Sequence, residues 1–203
     1  MPAGDLCTLS DLTAYLGDQP LGAASLTALS FIISAVSSWA QGYCERNLAG
    51  VQSYTWTGNG TGGRDLSLPE GPVVSVLSVS VDGVPIQPSS GSPNYGWVQT
   101  DHGVSLIGGC FKRGVQNVTV LYQAGWAYSF TPGSSGPAGD VIAGLPGDLR
   151  WAVIETVALR FKRRTSLGMN SQGMAGQNTS YDNSIAPKDA LSTLQRYRKV
   201  TPW

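Results

Sequence analysis

The sequence predicts an α+β protein with an N-terminal helical bundle packed with a C-terminal helix, a small antiparallel β-sheet extension, and a flexible C-terminal tail with a short helix. Apolar residues recur at spacings of three and four before residue 47 and again after residue 147, which is the helical period. Between residues 52 and 122 the period is two, which is the period of strands.

These periods divide the chain into five segments. Residues 1–50 hold the N-terminal helices, 51–125 the antiparallel β region, and 126–147 a loop rich in Gly, Pro and Ser. Residues 148–167 form a helix that completes the helical body, and 168–203 a flexible segment followed by a basic helix.

Two helices are predicted at the N-terminus. Thr8 or Ser10 caps the first, which runs through Leu16 and ends at Gly17. The second has about twenty residues. Its buried stripe comprises Leu26, Leu29, Ile33, Val36, Ala40 and Tyr43. The opposite face is small, polar and uncharged, so it is either a subunit contact or an ordinary solvated face. The subunit-contact candidates are Ser30, Ser34, Ser37, Ser38 and Gln41.

The β region contains the strongest local signal of the chain. Residues 73–81 are rich in valine, and Asp82-Gly83 predicts a type I′ turn into a strand at 84–86. Further strands are expected around Tyr54, at 97–98, at 104–106 and at 118–122, which gives one sheet of about five strands. Residues 126–147 show no periodicity and predict a long irregular loop.

The C-terminal part alternates between helix and polar linker. Asp148 begins a helix to about Thr165 with apolar residues on two faces, including Leu149 and Trp151, so burial from two sides is expected. Residues 168–186 predict a hinge or a segment that becomes ordered on contact. A last helix is expected from Pro187 to about Lys199.

Charge is distributed unevenly along a chain that is neutral as a whole. Residues 1–149 carry four basic and ten acidic residues, a net charge of −6, and the remainder carries nine basic and three acidic residues, a net charge of +6. Two interpretations are open. The basic part is a charged tail that meets a partner, or its lysines and arginines complement the dipoles of helix C-termini.

The sequence contains few residues suited to catalysis or metal binding. Cys7, Cys44 and Cys110 are widely spaced, which argues against a disulfide framework and a zinc site. The GxGxxG match at 58–63 precedes a Leu-Ser-Leu-Pro run that cannot open a long helix, so a hairpin tip is expected there rather than a phosphate site. His102 is expected in an exposed turn. We therefore predict no catalytic, cofactor-binding or metal site, no signal peptide and no membrane span.

Several short stretches, taken in order, form a pattern along most of the chain. They are 6–12, 15–17, 35–46, 72–76, 81–83, 116–125, 145–150 and 158–160. They include Gly42-Tyr43-Cys44-Glu45-Arg46 and Leu145-Pro146-Gly147-Asp148-Leu149-Arg150. In these stretches the chain resembles the tailed-bacteriophage head-tail connector family, also called head-completion adaptors.

The resemblance implies a structural virion protein and not an enzyme. Such adaptors form a ring, usually of twelve copies, between the portal and the stopper or tail-completion protein, and extend the DNA channel in the neck of the virion after assembly in the host bacterial cytoplasm. Non-specific contact with genomic DNA in the channel is a further expectation. The portal-contact candidates are Lys188, Leu191, Leu194, Arg196, Tyr197, Arg198 and Lys199.

The alternative is a carbohydrate- or peptide-binding module built on the β region. In this interpretation Trp56, Trp97 and Trp126 form a platform for stacking. Aromatic residues in short β proteins more often belong to the core.

Overall fold

The computed structural model of the chain describes residues 4–17, 22–89, 95–133, 140–164, 171–174, 177–180 and 184–199. Contacts divide it into two units. The helical unit joins Met1–Ala49 to Tyr128–Arg198, and the β unit comprises Gly50–Ala127 and Lys199–Trp203. Helices and antiparallel sheets in one chain confirm the predicted α+β class.

The first helix begins and ends where the sequence predicts, and the second has about the predicted length. Helix α1 spans Leu9–Leu16, and helix α2 spans Ala23–Cys44. The Thr8 hydroxyl accepts a hydrogen bond from Asp11 N, and the Asp11 carboxylate accepts one from Thr8 N, a capping box that satisfies two backbone donors. Glu45 ends α2 in the left-handed conformation, and its N–H reaches back to the last turn.

The later helices complete the helical unit. Helix α3 spans Gly147–Arg163, and helix α4 spans Lys188–Arg196. Burial of α3 on two sides is confirmed, because it packs against α1, α2 and α4. Trp151 is an exception: it was predicted on a buried stripe, but 53% of it is exposed. Its indole Nε1 donates to Glu155 Oε1 at 2.9 Å, and its ring meets Tyr15 edge-on.

In the described part of the β unit, seven strands form two antiparallel sheets, whereas the sequence predicts a single sheet of about five strands. The strands are β1 Gln52–Gly60, β2 Asp65–Ser67, β3 Val73–Val81, β4 Val84–Ile86, β5 Gly96–Thr100, β6 Gly103–Ile107 and β7 Gly114–Ala124. The larger sheet has the order β1-β7-β3-β4, and the smaller has the order β2-β6-β5. The three-residue strand β2 was missed because it is too short to show a period.

Both sheets contribute to one apolar core. Phe111, Val104 and Tyr122 are completely buried in it, together with residues of β3 and β7. The Tyr122 hydroxyl accepts a hydrogen bond from Glu70 N, and burial raises the pKa of Tyr122 to about 12. The predicted Asp82-Gly83 turn is confirmed, since both residues have positive φ (52° and 78°), as a type I′ turn requires.

Two segments predicted as irregular contain strands. Within residues 126–147, β8 (Ser129–Thr131) pairs with β9 (Val141–Ala143). Within residues 168–186, β10 (Ser171–Met174) pairs with β11 (Gln177–Ser180). The rest of these two segments lies partly outside the described residues. Strands of three and four residues are too short to show the period-two alternation that a sequence search detects.

Candidate interaction surfaces

The glycine-rich motif has a structural explanation. The Trp56 ring lies over Gly58, and a side chain at Gly60 would collide with the Lys112 carbonyl. Gly62 has a φ of +84°, and its N–H donates to Phe111 O at 2.7 Å. The glycines allow close backbone packing between the end of β1 and the segment before β7, and the motif opens no helix, as predicted.

Groups that often carry chemistry are buried or lie in turns. Burial raises the pKa of Cys7 far above its usual range and that of Cys44 to about 11, so both thiols stay protonated and unreactive. His102 lies in the turn between β5 and β6. Within the described ranges, no group of three or more His, Cys, Asp or Glu side chains could hold a metal ion.

The tryptophan platform of the alternative function is not formed. Trp97 belongs to the buried core, and its indole Nε1 donates to Ile86 O at 3.0 Å. Trp56 packs against the same core from its edge. A tryptophan that is 8% exposed cannot stack on a sugar or peptide, so the platform of the carbohydrate- or peptide-binding interpretation loses one of its three residues.

The serine face of α2 contacts the N-terminal segment of the same chain. Ser37 is buried, and its hydroxyl accepts a hydrogen bond from Leu6 N at 2.9 Å. Ser34 Oγ donates to Asp5 Oδ2 at 3.3 Å, and Gln41 Nε2 donates to Gly4 O at 3.1 Å. These contacts remove Ser37 from the subunit-contact candidates and occupy polar atoms of Ser34 and Gln41.

The other two members of that candidate set lie nearer to solvent. Ser38 is exposed, and Ser30 is half-buried, with its hydroxyl bonded to Thr27 O at 2.7 Å. Their role as subunit contacts stays a prediction.

A different stripe of α2 is the uncovered one. Phe31 is 72% exposed, and it continues the exposed line of Thr27, Ala35, Ser38 and Gly42. By length and composition α2 is apolar enough to cross a membrane, but core helices of soluble proteins meet the same criterion. Only 28% of its most apolar stretch is buried. This helix carries no charged residue, so its outer face suits contact with another protein surface.

The C-terminal helix is part of the helical core. Leu194 of α4 is completely buried, and Ala186 and Ala190 are at most 1% exposed. Cys44 Sγ of α2 lies 3.4 Å from Leu194 O. Leu194 is therefore not available to a portal.

Two further portal-contact candidates bind to their own chain. The Tyr197 hydroxyl lies 2.6 Å from Asp148 Oδ1, and burial together with this hydrogen bond raises the pKa of Tyr197 to about 12. Arg198 Nη2 lies 2.5 Å from Glu45 Oε1.

Lys199, which belongs to the β unit, pairs with Glu70. Lys188 and Arg196 are exposed on α4 and Leu191 is half-exposed, so these three remain candidates.

Several other basic residues of the C-terminal part also have partners within the chain. Arg150 forms a two-point ion pair with Asp11, at 3.1 Å from Nε and 2.6 Å from Nη2. Arg163 donates to Ser184 O, and the Arg160 guanidinium lies over the Trp39 ring. Together with the ion pairs of Arg198 and Lys199, these contacts show that many of the basic side chains behind the +6 charge bind to groups of their own chain. The other interpretation, in which basic residues complement the dipole at a helix C-terminus, applies only to the basic residues in the last turns of α3 and α4.

Comparison with known proteins identifies the class. Residues 5–200 match the family model described as Head completion protein, so the chain belongs to that family. It is a structural virion protein and not an enzyme, as the resemblance implied.

Two solved structures are similar to this chain. A chain of the "Neck of empty GTA particle computed with C6 symmetry" is 18% identical, with a TM-score of 0.47 over 96% of this chain and 90% of that one. A chain of the "Virion of native gene transfer agent (GTA) particle" is 19% identical, with a TM-score of 0.47 over 100% and 91%. The curated proteins gave no match.

Proposed function

We propose that this protein is a head-to-tail adaptor that forms a ring, of twelve copies, between the portal and the stopper or tail-completion protein of a tailed virion. The ring extends the DNA channel in the neck, where the chain contacts genomic DNA without sequence specificity, and it assembles in the bacterial cytoplasm. The observation that carries the proposal is the family match over residues 5–200. The role as adaptor, the partners and the copy number come from the resemblance of the sequence.

The surfaces of the helical unit support an assembly role. The outer stripe of α2 around Phe31 is uncharged, whereas α4 presents Lys188 and Arg196 to solvent beside Leu191. An uncharged stripe and a helix face that carries charged side chains are two distinct surfaces on one subunit. Head-to-tail contacts in a closed ring, with a separate partner above it, require such distinct surfaces. We assign the face of α4 to the portal.

The proposal is tested in particles by reversing charge on α4. Lys188→Glu with Arg196→Glu should reduce the number of tailed particles about tenfold, because reversed charges at a complementary interface are strongly unfavourable. Both side chains are exposed, so folding should be retained. Electron microscopy of particles from a host in which the variant replaces the native gene counts heads with and without tails.

The matched control makes the same charge change on the β unit. Arg64→Glu with Lys112→Glu also alters two exposed basic residues, and it should leave tailed particles within about twofold of the native number. Equal losses in both double variants would contradict the assignment of α4 to the portal. Normal tailed particles after deletion of the whole gene would refute the adaptor function itself.

A further inference from the structure

Among the residues that the structure describes, the two sheets of the β unit have four edge strands, and two of these are protected by length and composition. Exposed edges carry unpaired N–H and C=O groups that attract other strands, and proteins protect them with short strands, charges, prolines, bulges or coverage. Strand β4 has three residues, one of which is Pro85. Strand β2 also has three residues and begins at Asp65.

The edge strand β5 is covered by the segment that follows β4. Trp97 N donates to Gln87 O at 3.1 Å, and Ser89 N donates to Trp97 O at 2.8 Å. These bonds use backbone groups of β5 that would otherwise be open.

The stretch of β3 that extends beyond β4 is protected in two ways. The register with β7 shifts at Val73/Ser75 and again at Val76/Ser78. The Gln99 amide nitrogen also donates to the carbonyls of Val73 and Val74, and its oxygen accepts from Val76 N. The shifts interrupt the ladder, and the amide occupies backbone groups that face outward.

Strand β1 has none of these protections over most of its length. Its nine residues include no charge and no proline. It runs along β7 in unbroken register from Gln52 opposite Ala124 to Gly58 opposite Val118. No strand among the described residues pairs with its outer edge. A long, uncharged, regular edge is a site for addition of a further strand.

The side chains of β1 leave its outer edge accessible. Tyr54 and Trp56 point to the core, while Ser53, Thr55 and Thr57 are exposed and small. The strand contains no lysine or glutamate, so no charged side chain hinders the approach of another strand.

The hairpin β10–β11 is the matching element. Among the described elements its strands pair only with each other. A two-stranded hairpin alone is at best marginally stable in water, so this one needs a further neighbour. Its strands, Ser171–Met174 and Gln177–Ser180, carry no charge.

We propose that the outer edge of β1 in one copy binds the β10–β11 hairpin of a second copy by strand addition. A four-residue strand fits within the nine residues of β1, and the absence of charge on both elements removes electrostatic cost. Each copy provides one hairpin and accepts one, which is a head-to-tail contact that generates a ring when the rotation closes. The inference rests on the proposed function and names the contact that would hold its ring together.

Cross-linking in particles tests the contact. Cys110→Ser removes the exposed thiol and leaves Cys7 and Cys44 buried. In this background, Thr55→Cys is combined with Gln172→Cys or with Thr179→Cys, one on each hairpin strand, and particles are treated with a short bis-maleimide. The expected result on a denaturing gel is a ladder of dimers and higher oligomers, with no ladder from any single-cysteine variant.

A lysine placed on the edge tests whether β1 itself is the acceptor. Adding Thr57→Lys to the cross-linking variants should reduce the ladder about tenfold, which corresponds to about 1.4 kcal/mol. Thr119→Lys is the matched control. Thr119 lies opposite Thr57 on β7 with the two hydroxyls 3.4 Å apart, but β7 has neighbours on both sides. It should change the ladder less than about twofold.

Several results would overturn the inference. These are a cross-link confined to one chain, a cross-link from Thr55→Cys to a different virion protein, no ladder in particles that contain the variant, or equal effects of Thr57→Lys and Thr119→Lys. Absence of the native chain from particles would instead refute the proposed function. In that case the same cross-linking is carried out on purified, concentrated protein. Absence of a ladder in that experiment would overturn the inference as well.

Discussion

The helical unit and the β unit differ in how the chain assembles them. The helical unit joins segments from both parts of the chain: Cys44 Sγ meets Leu194 O across 150 positions, and Arg150 pairs with Asp11 across 139. The β unit is almost entirely the continuous stretch Gly50–Ala127. The integrity of the first therefore depends on residues near both ends, whereas the second closes its core within one stretch.

The two units also use polar groups differently. In the helical unit, the ion pair of Arg150 with Asp11 connects the two segments, and the bond from Leu6 N to Ser37 Oγ holds the N-terminal residues on α2. In the β unit, an apolar core from both sheets provides the cohesion, and much of the long-range hydrogen bonding is backbone pairing within the sheets. Damage to one unit should therefore be visible separately from damage to the other.

The largest expected effect is on the β core. Phe111→Ala removes a completely buried ring from that core and should lower the free energy of unfolding by about 3–5 kcal/mol. Hydrogen exchange followed by mass spectrometry should show faster exchange across residues 50–127 and little change in residues 147–163. Val115→Ala, at a residue 84% exposed, is the control and should shift stability by less than about 0.5 kcal/mol. Uniform acceleration over the whole chain would contradict the division into units.

A slightly smaller effect is expected from Leu194→Ala in α4. The side chain is completely buried in the helical unit, so its loss should cost about 2–5 kcal/mol and speed exchange in α2 and α3 but not in β7. Leu191→Ala, on the half-exposed side of the same helix, should cost clearly less. If the two variants were equally stable, α4 would not belong to the helical core.

The smallest expected effect concerns the N-terminal segment on the serine face. Burial raises the pKa of the Asp5 carboxyl, and the hydrogen bond from Ser34 opposes that shift in part. The folded state therefore binds this proton more tightly than the unfolded state. The resulting stability is present at low pH and is lost as pH rises through the folded pKa.

Asp5→Asn keeps this side chain neutral at every pH. Denaturant unfolding measured from acid to neutral pH should show a flatter profile for the variant, with higher stability than the native protein at neutral pH. Asp101→Asn, in the exposed turn before His102, controls for the loss of one negative charge. Equal flattening by both variants would contradict a specific role for the buried Asp5.

Local signals in the sequence were sufficient for the longer elements. Thr8 and Gly17 bound α1, and the Asp82-Gly83 turn defines the β3–β4 hairpin. The bounds of α3 differ from the predicted Asp148 and Thr165 by one and two residues. These features depend on neighbours within a few positions. The resemblance to head-completion adaptors also came from short stretches in order, and the family match confirms it.

Long-range contacts explain the expectations that failed. The serine face of α2 looked open because the residues that cover it, Gly4–Leu6, lie 29 to 37 positions away. The basic tail looked free because its partners, Glu45 and Asp148, are distant in sequence. Spacing along one element cannot reveal what packs on it.

The sequence by itself determined the order of the long helices and strands, and their turns, because capping, periodicity and turn chemistry act over a few residues. Short stretches in order also carried the resemblance to head-completion adaptors. Only the tertiary structure decided which polar faces are occupied, that α4 completes the helical core, and that β1 is left as the unprotected edge. Those properties depend on which distant segments meet. The free energy of burial and strand pairing selects those contacts, and the residue pattern of a single element does not reveal it.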